Sequence, residues 1–262
     1  MAYRTAFLTD AVIRRSVPQV PAPSLADTLR NTLRAHRPHL LEFLRLDETP
    51  PQCAMTLTEW TRPTELSTLL ACYSDHIYRH KPEQPRENKA LLSLWAQWYI
   101  GLQLPPLMLA LLTQQQAISL SPEHIQVEFH ETGRAACFWI AVHQDKTALF
   151  APPVNRMEKL VTRTLMPVVS ALEATGDING KLIWSNTGHL INGYLSEMKN
   201  LLGDERVATL RQQLFFSQQL SDGQQNPLWR TVVMRDGLLV RRTCCQRYRL
   251  PDVQQCGDCT LR

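Results

Sequence analysis

Four cysteines near the C-terminus are the residues of this 262-residue sequence whose types and spacing point most directly to chemistry. They form an adjacent pair, Cys244 and Cys245, followed after ten residues by Cys256 and Cys259. A C-x-x-C pair commonly places two thiolates on one metal ion, because a short turn brings both sulfurs to the same side. Gly257 suits that turn, since glycine accepts backbone angles that other residues avoid. The spacing therefore predicts a four-thiolate metal site.

The adjacent pair is the unusual half of this motif. Neighbouring side chains on an extended strand point to opposite faces, so Cys244 and Cys245 can reach one metal centre only if the backbone is irregular there. The motif departs from the two C-x-x-C knuckles that a zinc ribbon normally has and from the C-x4-C-x2-C spacing of a plant-type ferredoxin. It also lacks the histidine ligands that a Rieske centre needs. Spacing alone therefore favours a [2Fe-2S] cluster over structural zinc, with a vicinal disulfide as a third alternative.

The remaining cysteines and the overall charge restrict the class of protein. Cys53, Cys72 and Cys137 are scattered along the chain, and residues 1–24 lack the apolar core of a secretory signal. We therefore expect the reducing cytosol, where a cysteine cluster binds metal more often than it forms disulfides. The net charge of +4 is small and the basic residues form no long run, so nucleic-acid binding is not expected.

The rest of the chain, which holds the cysteines in place, is predicted to be mainly helical. Apolar residues recur at helical spacing in 24–46 (two pieces, interrupted at Pro38), 57–79, 90–112, 153–174, 179–202 and 204–216. Alternating apolar residues predict a β-hairpin over 125–142. A second hairpin, 231–242, turns at Asp236-Gly237 and leads directly to Cys244.

The stretch 90–112 is the most apolar part of the sequence and has about the length of a membrane span. The adjacent prolines Pro105 and Pro106 would break a spanning helix and leave carbonyls unpaired in lipid. We therefore predict two buried helices that meet at a proline corner, and no transmembrane segment. The fold class expected is α+β and mainly helical, with a helical region 1–226 and a small C-terminal hairpin and cluster-binding segment 227–262.

The C-terminal motif resembles a known family. The run from Arg241 to Pro251, RRTCCQRYRLP, followed by Cys256-Gly257-Asp258-Cys259, resembles the C-terminal signature of the ferric-siderophore reductases of the FhuF type. The length of the chain and its helical N-terminal part are also similar to that family, so the resemblance covers the whole sequence. The N-terminal region is similar to part of the siderophore synthetases of the aerobactin type, which implies a region adapted to hold siderophores.

This resemblance implies a cytoplasmic reductase with one [2Fe-2S] cluster per chain, held by Cys244, Cys245, Cys256 and Cys259. Its substrates would be ferric hydroxamate siderophores such as ferrioxamine, ferrichrome or coprogen, which would receive single electrons and release Fe²⁺. Two other functions remain as alternatives. One is a siderophore-binding or metal-delivery module with a structural zinc site, and the other is an iron-sulfur redox sensor.

A separate electron-donor protein is expected as a partner, because the sequence has no G-x-G-x-x-G dinucleotide motif. The family resemblance also leaves room for peripheral association with the inner membrane. We expect no catalytic residue beyond the cluster itself, since no nucleophile elbow, zinc-protease helix or Walker loop is present in the sequence.

Five further residues are candidates for secondary roles. Arg241, Arg242 and Arg247 lie around the cysteines, where cations favour the more negative, reduced state of a cluster or dock the donor. Their alternative role is that of an exposed basic strand. Trp184 and Asn186 belong to a segment similar to a Trp-x-Asn segment of the family and could contact siderophore. A buried helix face is the favoured explanation, because neighbouring apolar residues already account for this segment as core.

Overall fold

The computed structural model describes residues 23–148, 150–257 and 259–261 of the chain. The prediction that no secretory signal is present falls almost entirely on residues 1–22, which lie outside the described residues.

The α-helices are α1 (Leu25–His36), α2 (Leu57–Trp60), α3 (Pro63–Ile77), α4 (Asn88–Thr113), α5 (Pro153–Leu160), α6 (Met166–Glu173), α7 (Gly180–Glu197), α8 (Lys199–Leu202) and α9 (Asp204–Phe216). The strands are β1 (Leu44–Leu46), β2 (Met55–Thr56), β3 (Ile125–Phe129), β4 (Ala135–Ile140), β5 (Val232–Arg235) and β6 (Leu238–Arg241). The expected fold class, α+β and mainly helical, is confirmed.

Helix α4 forms the centre of the fold and runs without a break through Pro105 and Pro106. The predicted corner between two helices is therefore wrong. Proline lacks the N–H that would bond the carbonyl four residues earlier, which for Pro105 is the carbonyl of Gly101. Tyr194 on α7 donates its hydroxyl to that oxygen at 3.1 Å. A neighbouring helix thus supplies the missing donor, and α4 can continue.

A four-stranded sheet packs against this helical layer in the order β1-β4-β3-β2. The predicted hairpin over 125–142 is confirmed as the antiparallel pair β3 and β4. The second helical piece predicted after Pro38 is only a short 3-10 helix over Pro38–Glu42. Its predicted extension to residue 46 is wrong, because the chain there forms β1, parallel to β4. Leu44 and Leu46 are buried on either side of the half-buried Arg45, a period of two that suits a strand.

The second half of the chain follows the predicted helices closely. The stretch predicted over 153–174 is α5 and α6 joined by a π-helical turn, Val161–Leu165. Gly203 ends α8 with a φ of +84°, a conformation that glycine adopts at no steric cost. The glutamine-rich segment 217–227 has the composition of a linker, yet buried Asn226 ties it to α9 by donating its amide to the Leu214 carbonyl at 2.9 Å.

The C-terminal hairpin is confirmed as the antiparallel pair β5 and β6. Asp236 and Gly237 both have positive φ angles, +50° and +78°, as a two-residue turn matched to the strand twist requires. The hairpin packs on α7, and Leu228 and Val232 belong to the same hydrophobic core as the helices. The division into regions 1–226 and 227–262 stays a prediction.

Within 23–148, 150–257 and 259–261, no helix has both the length and the apolar character that crossing a bilayer requires. The longest of these helices, α4, contains the polar side chains of Gln97 and the buried Gln103 within its apolar sequence.

Candidate metal centre

The paired cysteines lie where regular secondary structure stops. Strand β6 ends at Arg241, and the backbone from Cys244 to Gln246 is neither helix nor strand. Gln246 has a φ of +63°, in the left-handed region that non-glycine residues rarely occupy. The backbone then enters a 3-10 turn over Arg247–Arg249. The irregular backbone predicted for the adjacent pair is thus confirmed.

Two of the four sulfurs are in contact. The Sγ atoms of Cys245 and Cys256 lie 3.8 Å apart, and all four cysteines of the motif have free thiols. Two thiolates on one tetrahedral ion, with metal–sulfur bonds of about 2.3 Å, would also lie about 3.8 Å apart. Among the described residues, no three histidine, cysteine or acidic side chains converge closely enough to form a metal-ion group. The structure therefore brings together Cys245 and Cys256 and does not gather all four sulfurs.

The surroundings of the sulfurs fit an anionic iron-sulfur cluster. The backbone N–H of Gln246 donates to Cys244 Sγ at 3.3 Å, and the guanidinium of Arg241 donates to Cys256 Sγ at 3.2 Å. Hydrogen bonds to cluster sulfurs and nearby positive charge stabilise the added electron. Four thiols without a histidine, with donors directed at two of them, suit iron-sulfur chemistry.

The thiol of Cys245 is the most deeply placed of the four, at 1% exposure. Burial raises its pKa, while the backbone N–H of Arg247 and the charge of Arg241 act in the opposite direction. The thiol would have to lose its proton to bind metal, and the metal itself stabilises the thiolate. The two arginines therefore reduce the cost of having a thiolate at this buried position.

Arg241 is held in place by a chain of buried polar groups. At 2% exposure, it donates to the Asn186 side-chain oxygen at 3.4 Å, and Asn186 donates to the Ser93 hydroxyl at 2.9 Å. Ser93 in turn donates to the backbone carbonyl of Cys245 at 2.8 Å. Buried polar groups are costly unless they are bonded, so such a chain fixes one arrangement of its members. We call Arg241, Asn186 and Ser93 the buried relay.

Helix α7 holds the strand end that leads to the cysteines. The hydroxyl of Ser185 accepts from the backbone N–H of Thr243 at 3.2 Å and donates to the carbonyl of Thr231 at 3.4 Å. A Cβ placed on Gly188 would lie 2.1 Å from the Thr231 hydroxyl oxygen. The close approach of α7 to the hairpin therefore requires glycine at this position.

The other candidate residues lie at different depths around this site. Arg242 is exposed, and Arg247 is half-buried. Trp184 is half-buried and lines a cavity together with Arg242, whereas Asn186 is 2% exposed and directs its amide into the buried relay. The alternative role of Arg241, an exposed basic strand residue, does not fit its burial.

Ser93 and Ser185 were not identified from the sequence. Ser93 lies within the apolar run of α4 and is 152 positions from the cysteine whose carbonyl it binds. Serines within helices usually bond locally or to water, so their type and spacing carry no sign of a distant partner. Of the three remaining cysteines, Cys53 and Cys72 are exposed and Cys137 is buried in β4.

Comparison with known proteins gives three matches. The family model described as "Ferric iron reductase FhuF-like transporter" matches residues 93–239, more than half of the chain. The model described as "FhuF 2Fe-2S C-terminal domain" matches residues 241–261, which include all four cysteines of the motif. The chain is 65% identical over its full 262 residues to the full length of a protein of Escherichia coli (strain K12) named "Ferric siderophore reductase".

These matches agree with the geometry of the C-terminal segment. A family of iron reductases needs a one-electron carrier, and the segment between β6 and the C-terminus provides thiols, N–H donors and a buried cation. The chain belongs to the FhuF-like ferric iron reductase family, and its C-terminal segment is that family's [2Fe-2S] domain.

Proposed function

We propose that this protein is a ferric-siderophore reductase that transfers single electrons to Fe³⁺ in hydroxamate siderophores such as ferrioxamine, ferrichrome and coprogen. The observation that carries the proposal is the C-terminal segment, where the [2Fe-2S] domain match coincides with thiols that receive hydrogen bonds from the backbone and from a buried arginine. The full-length relative named a ferric siderophore reductase supports the choice of substrate class.

The cluster ligands in this proposal are Cys244, Cys245, Cys256 and Cys259. When bound, a [2Fe-2S] cluster supplies one electron at a time. Cys245 and Cys256 already lie at the separation expected for two thiolates on one iron. The Gln246 backbone N–H and the Arg241 guanidinium would place positive charge and donors around the ligand sulfurs.

The chemistry of release follows from the donor atoms of the substrate. Hydroxamate oxygens are hard donors, which hold Fe³⁺ far more tightly than Fe²⁺. Adding one electron to the iron therefore weakens the chelate without any general base or nucleophile from the protein. The task of the chain is to hold the chelate close to the cluster and to stabilise the charge that the electron brings.

The three arginines of the motif receive separate roles. Arg241 tunes the cluster, because it is buried and donates directly to a thiol sulfur. Arg242 is exposed at the edge of a cavity and suits docking of the substrate. Arg247 supports Cys245 through its backbone N–H.

The electron donor and the compartment are part of the same proposal. A separate protein delivers the electrons, since the sequence has no dinucleotide-binding motif. The cytoplasm is the proposed location, and peripheral association with the inner membrane is compatible with it. A reducing compartment agrees with the seven cysteines, which are all free thiols.

A single-turnover experiment tests the proposed function. Protein reduced with dithionite and freed of excess reductant is mixed with a ferric hydroxamate, while the visible spectrum and the appearance of Fe²⁺ are recorded. We expect the cluster spectrum to return to its oxidised form as Fe²⁺ forms in equal amount. A colourless protein that contains zinc would support the metal-delivery alternative. A cluster that stays reduced after the ferric chelate is added would support the redox sensor.

A further inference from the structure

A cavity of about 560 Å³ opens beside the chain segment that leads to the cysteines. We call it the basic cavity. It lies between the first turns of α7, the loop 225–231 and residues 242–243. Its volume lies within the range of about 300 to 1,000 Å³ that small-molecule sites occupy.

The walls of the basic cavity combine cations with aromatic rings. Lys181, Arg230 and Arg242 provide positive charge, and Trp184 and Trp229 provide two indole surfaces. No aspartate or glutamate is among the described residues that line it. The surface is therefore suited to a ligand with anionic oxygens and an apolar framework.

A second cavity of similar size has a different character. It measures about 530 Å³ and lies between α3, α4 and α6. Asp177 lines it, and no lysine or arginine is among its described lining residues. Its described lining offers hydroxyl and amide donors but no positive charge for anionic oxygens.

The basic cavity is also close to the proposed cluster ligands along the chain. Thr243 lines the cavity and directly precedes Cys244, so their Cα atoms are about 3.8 Å apart. The backbone of Thr243 is fixed by its hydrogen bond to Ser185, which lines the same cavity. A ligand in the cavity would thus be separated from the cysteine pair by a single, well-held residue.

We propose that the basic cavity is the docking site for the ferric hydroxamate chelate, an inference that rests on the proposed function. The lysine and arginine side chains donate to the hydroxamate oxygens, each of which bears part of a negative charge. The indole rings of Trp184 and Trp229 pack against the methylene arms of the siderophore. The cavity places the iron near Cys244 without a protein side chain entering its coordination shell.

The same cations assist the reduction itself. One electron passes from the reduced protein to the iron, Fe³⁺ becomes Fe²⁺, and the chelate gains one negative charge while no bond is formed. Lys181, Arg230 and Arg242 stabilise the product more than the substrate, because their attraction grows with the negative charge of the ligand. The iron–oxygen bonds then weaken, and Fe²⁺ leaves the hydroxamate groups.

A redox-inert chelate separates docking from electron transfer. The Ga³⁺ complex of the same hydroxamate is titrated into oxidised holoprotein and its Kd measured by tryptophan fluorescence or isothermal calorimetry. We expect Trp184→Ala to raise this Kd about tenfold. Lys181→Gln combined with Arg242→Gln should raise it about fivefold and slow the single-turnover reduction further than the change in Kd explains.

Matched controls lie elsewhere on the surface. Lys146→Gln removes an exposed cation outside the cavity, Trp98→Phe changes a half-exposed indole outside it, and Ser67→Gln narrows the second cavity. All three should leave the Kd unchanged. The visible spectrum of each variant shows whether it retains its cluster, and Lys181 is exposed, so its substitution does not disturb the core.

The experiment distinguishes failure of the proposed docking site from failure of the proposed function. If the wild type reduces ferric hydroxamates but the cavity variants bind the Ga³⁺ chelate as tightly as the wild type, the basic cavity is not the docking site and the proposed function stands. If only Ser67→Gln weakens binding of the Ga³⁺ chelate, the second cavity and not the basic cavity is the docking site, and the proposed function again stands. If the reduced wild type transfers no electron to any ferric hydroxamate, the proposed function itself is wrong.

Discussion

Arg241 donates from its guanidinium to the sulfur of Cys256 at 3.2 Å, and it does so while only 2% of the residue is exposed. Burying a cation is costly unless groups of opposite charge or good acceptors lie beside it. The side chain contacts the Cys256 thiol and the amide oxygen of Asn186. A [2Fe-2S] cluster with four thiolate ligands would bring negative charge to the sulfur that this guanidinium already contacts.

Removing the charge of Arg241 should make the cluster harder to reduce. Only the part of this interaction that is stronger in the reduced state changes the potential, and about 1.4 kcal/mol of such a difference corresponds to about 59 mV for one electron. We therefore expect Arg241→Gln to lower the reduction potential by roughly 60 mV or more, as measured by an EPR-monitored redox titration. Arg235→Gln, which removes an exposed cation at the end of β5, is the control. Equal shifts in both variants would mean that net charge, not the buried contact, sets the potential.

The four cysteines of the motif should each be required for the cluster. A [2Fe-2S] cluster has four protein ligands, so serine at Cys244, Cys245, Cys256 or Cys259 should abolish or strongly alter the visible absorption of the purified protein. Serine at the exposed Cys53 or Cys72 removes a thiol without touching the motif and should leave the spectrum unchanged. An unaltered spectrum after substitution of a motif cysteine would remove that residue from the ligand set.

Ser93 should act as a positioning residue for the cysteine pair. Ser93→Ala removes the donor to the Cys245 carbonyl and the acceptor for Asn186, so two buried groups lose their partner at about 1 to 3 kcal/mol each. We expect the cluster absorption to be lost several-fold faster when the protein is incubated with an iron chelator. Ser67→Ala on the surface of α3 is the control. Identical rates of loss would show that the buried relay does not hold the site.

Helix α7 contains a matched pair of glycines. Gly188→Ala would force a Cβ against Thr231, and overpacking of this kind costs about 1 to 3 kcal/mol. Gly193→Ala in the same helix has open space for its Cβ and should stabilise the protein by about 0.5 to 1 kcal/mol. Thermal unfolding should therefore show the Tm falling in the first variant and rising in the second. A common direction of change would contradict the close approach of α7 to the hairpin.

Tyr194 should contribute to stability through the proline-containing helix. Burial raises the pKa of this hydroxyl to about 12, so it remains a donor to the Gly101 carbonyl throughout the neutral pH range. Tyr194→Phe should lower the free energy of unfolding by about 1 kcal/mol, because a partly buried carbonyl loses its partner. Chemical denaturation measures this change, with Tyr248→Phe at a half-exposed position as the control. No difference between the two would mean that Gly101 is satisfied in another way.

Local patterns in the sequence were sufficient for many elements of the fold. The period of the apolar residues predicted α9 over 204–216, and Asp236-Gly237 predicted the turn between β5 and β6. Both depend on residues close together in the chain. The proline corner in α4 was wrong because the donor that replaces the missing N–H comes from Tyr194, far along the sequence. The strand β1 was missed because its partner, β4, is equally distant.

From the sequence alone, the type and spacing of four cysteines indicated a thiolate metal site and favoured a [2Fe-2S] cluster over zinc, and the run from Arg241 to Cys259 indicated the family. The tertiary structure was needed to show which of three similar arginines reaches a sulfur, that Ser93 and Asn186 are bonded beside the cysteine loop, and that a cavity with cations and indoles opens beside Thr243. Metal-binding motifs are local in the chain, whereas burial, hydrogen-bond relays and cavities arise from the packing of distant segments.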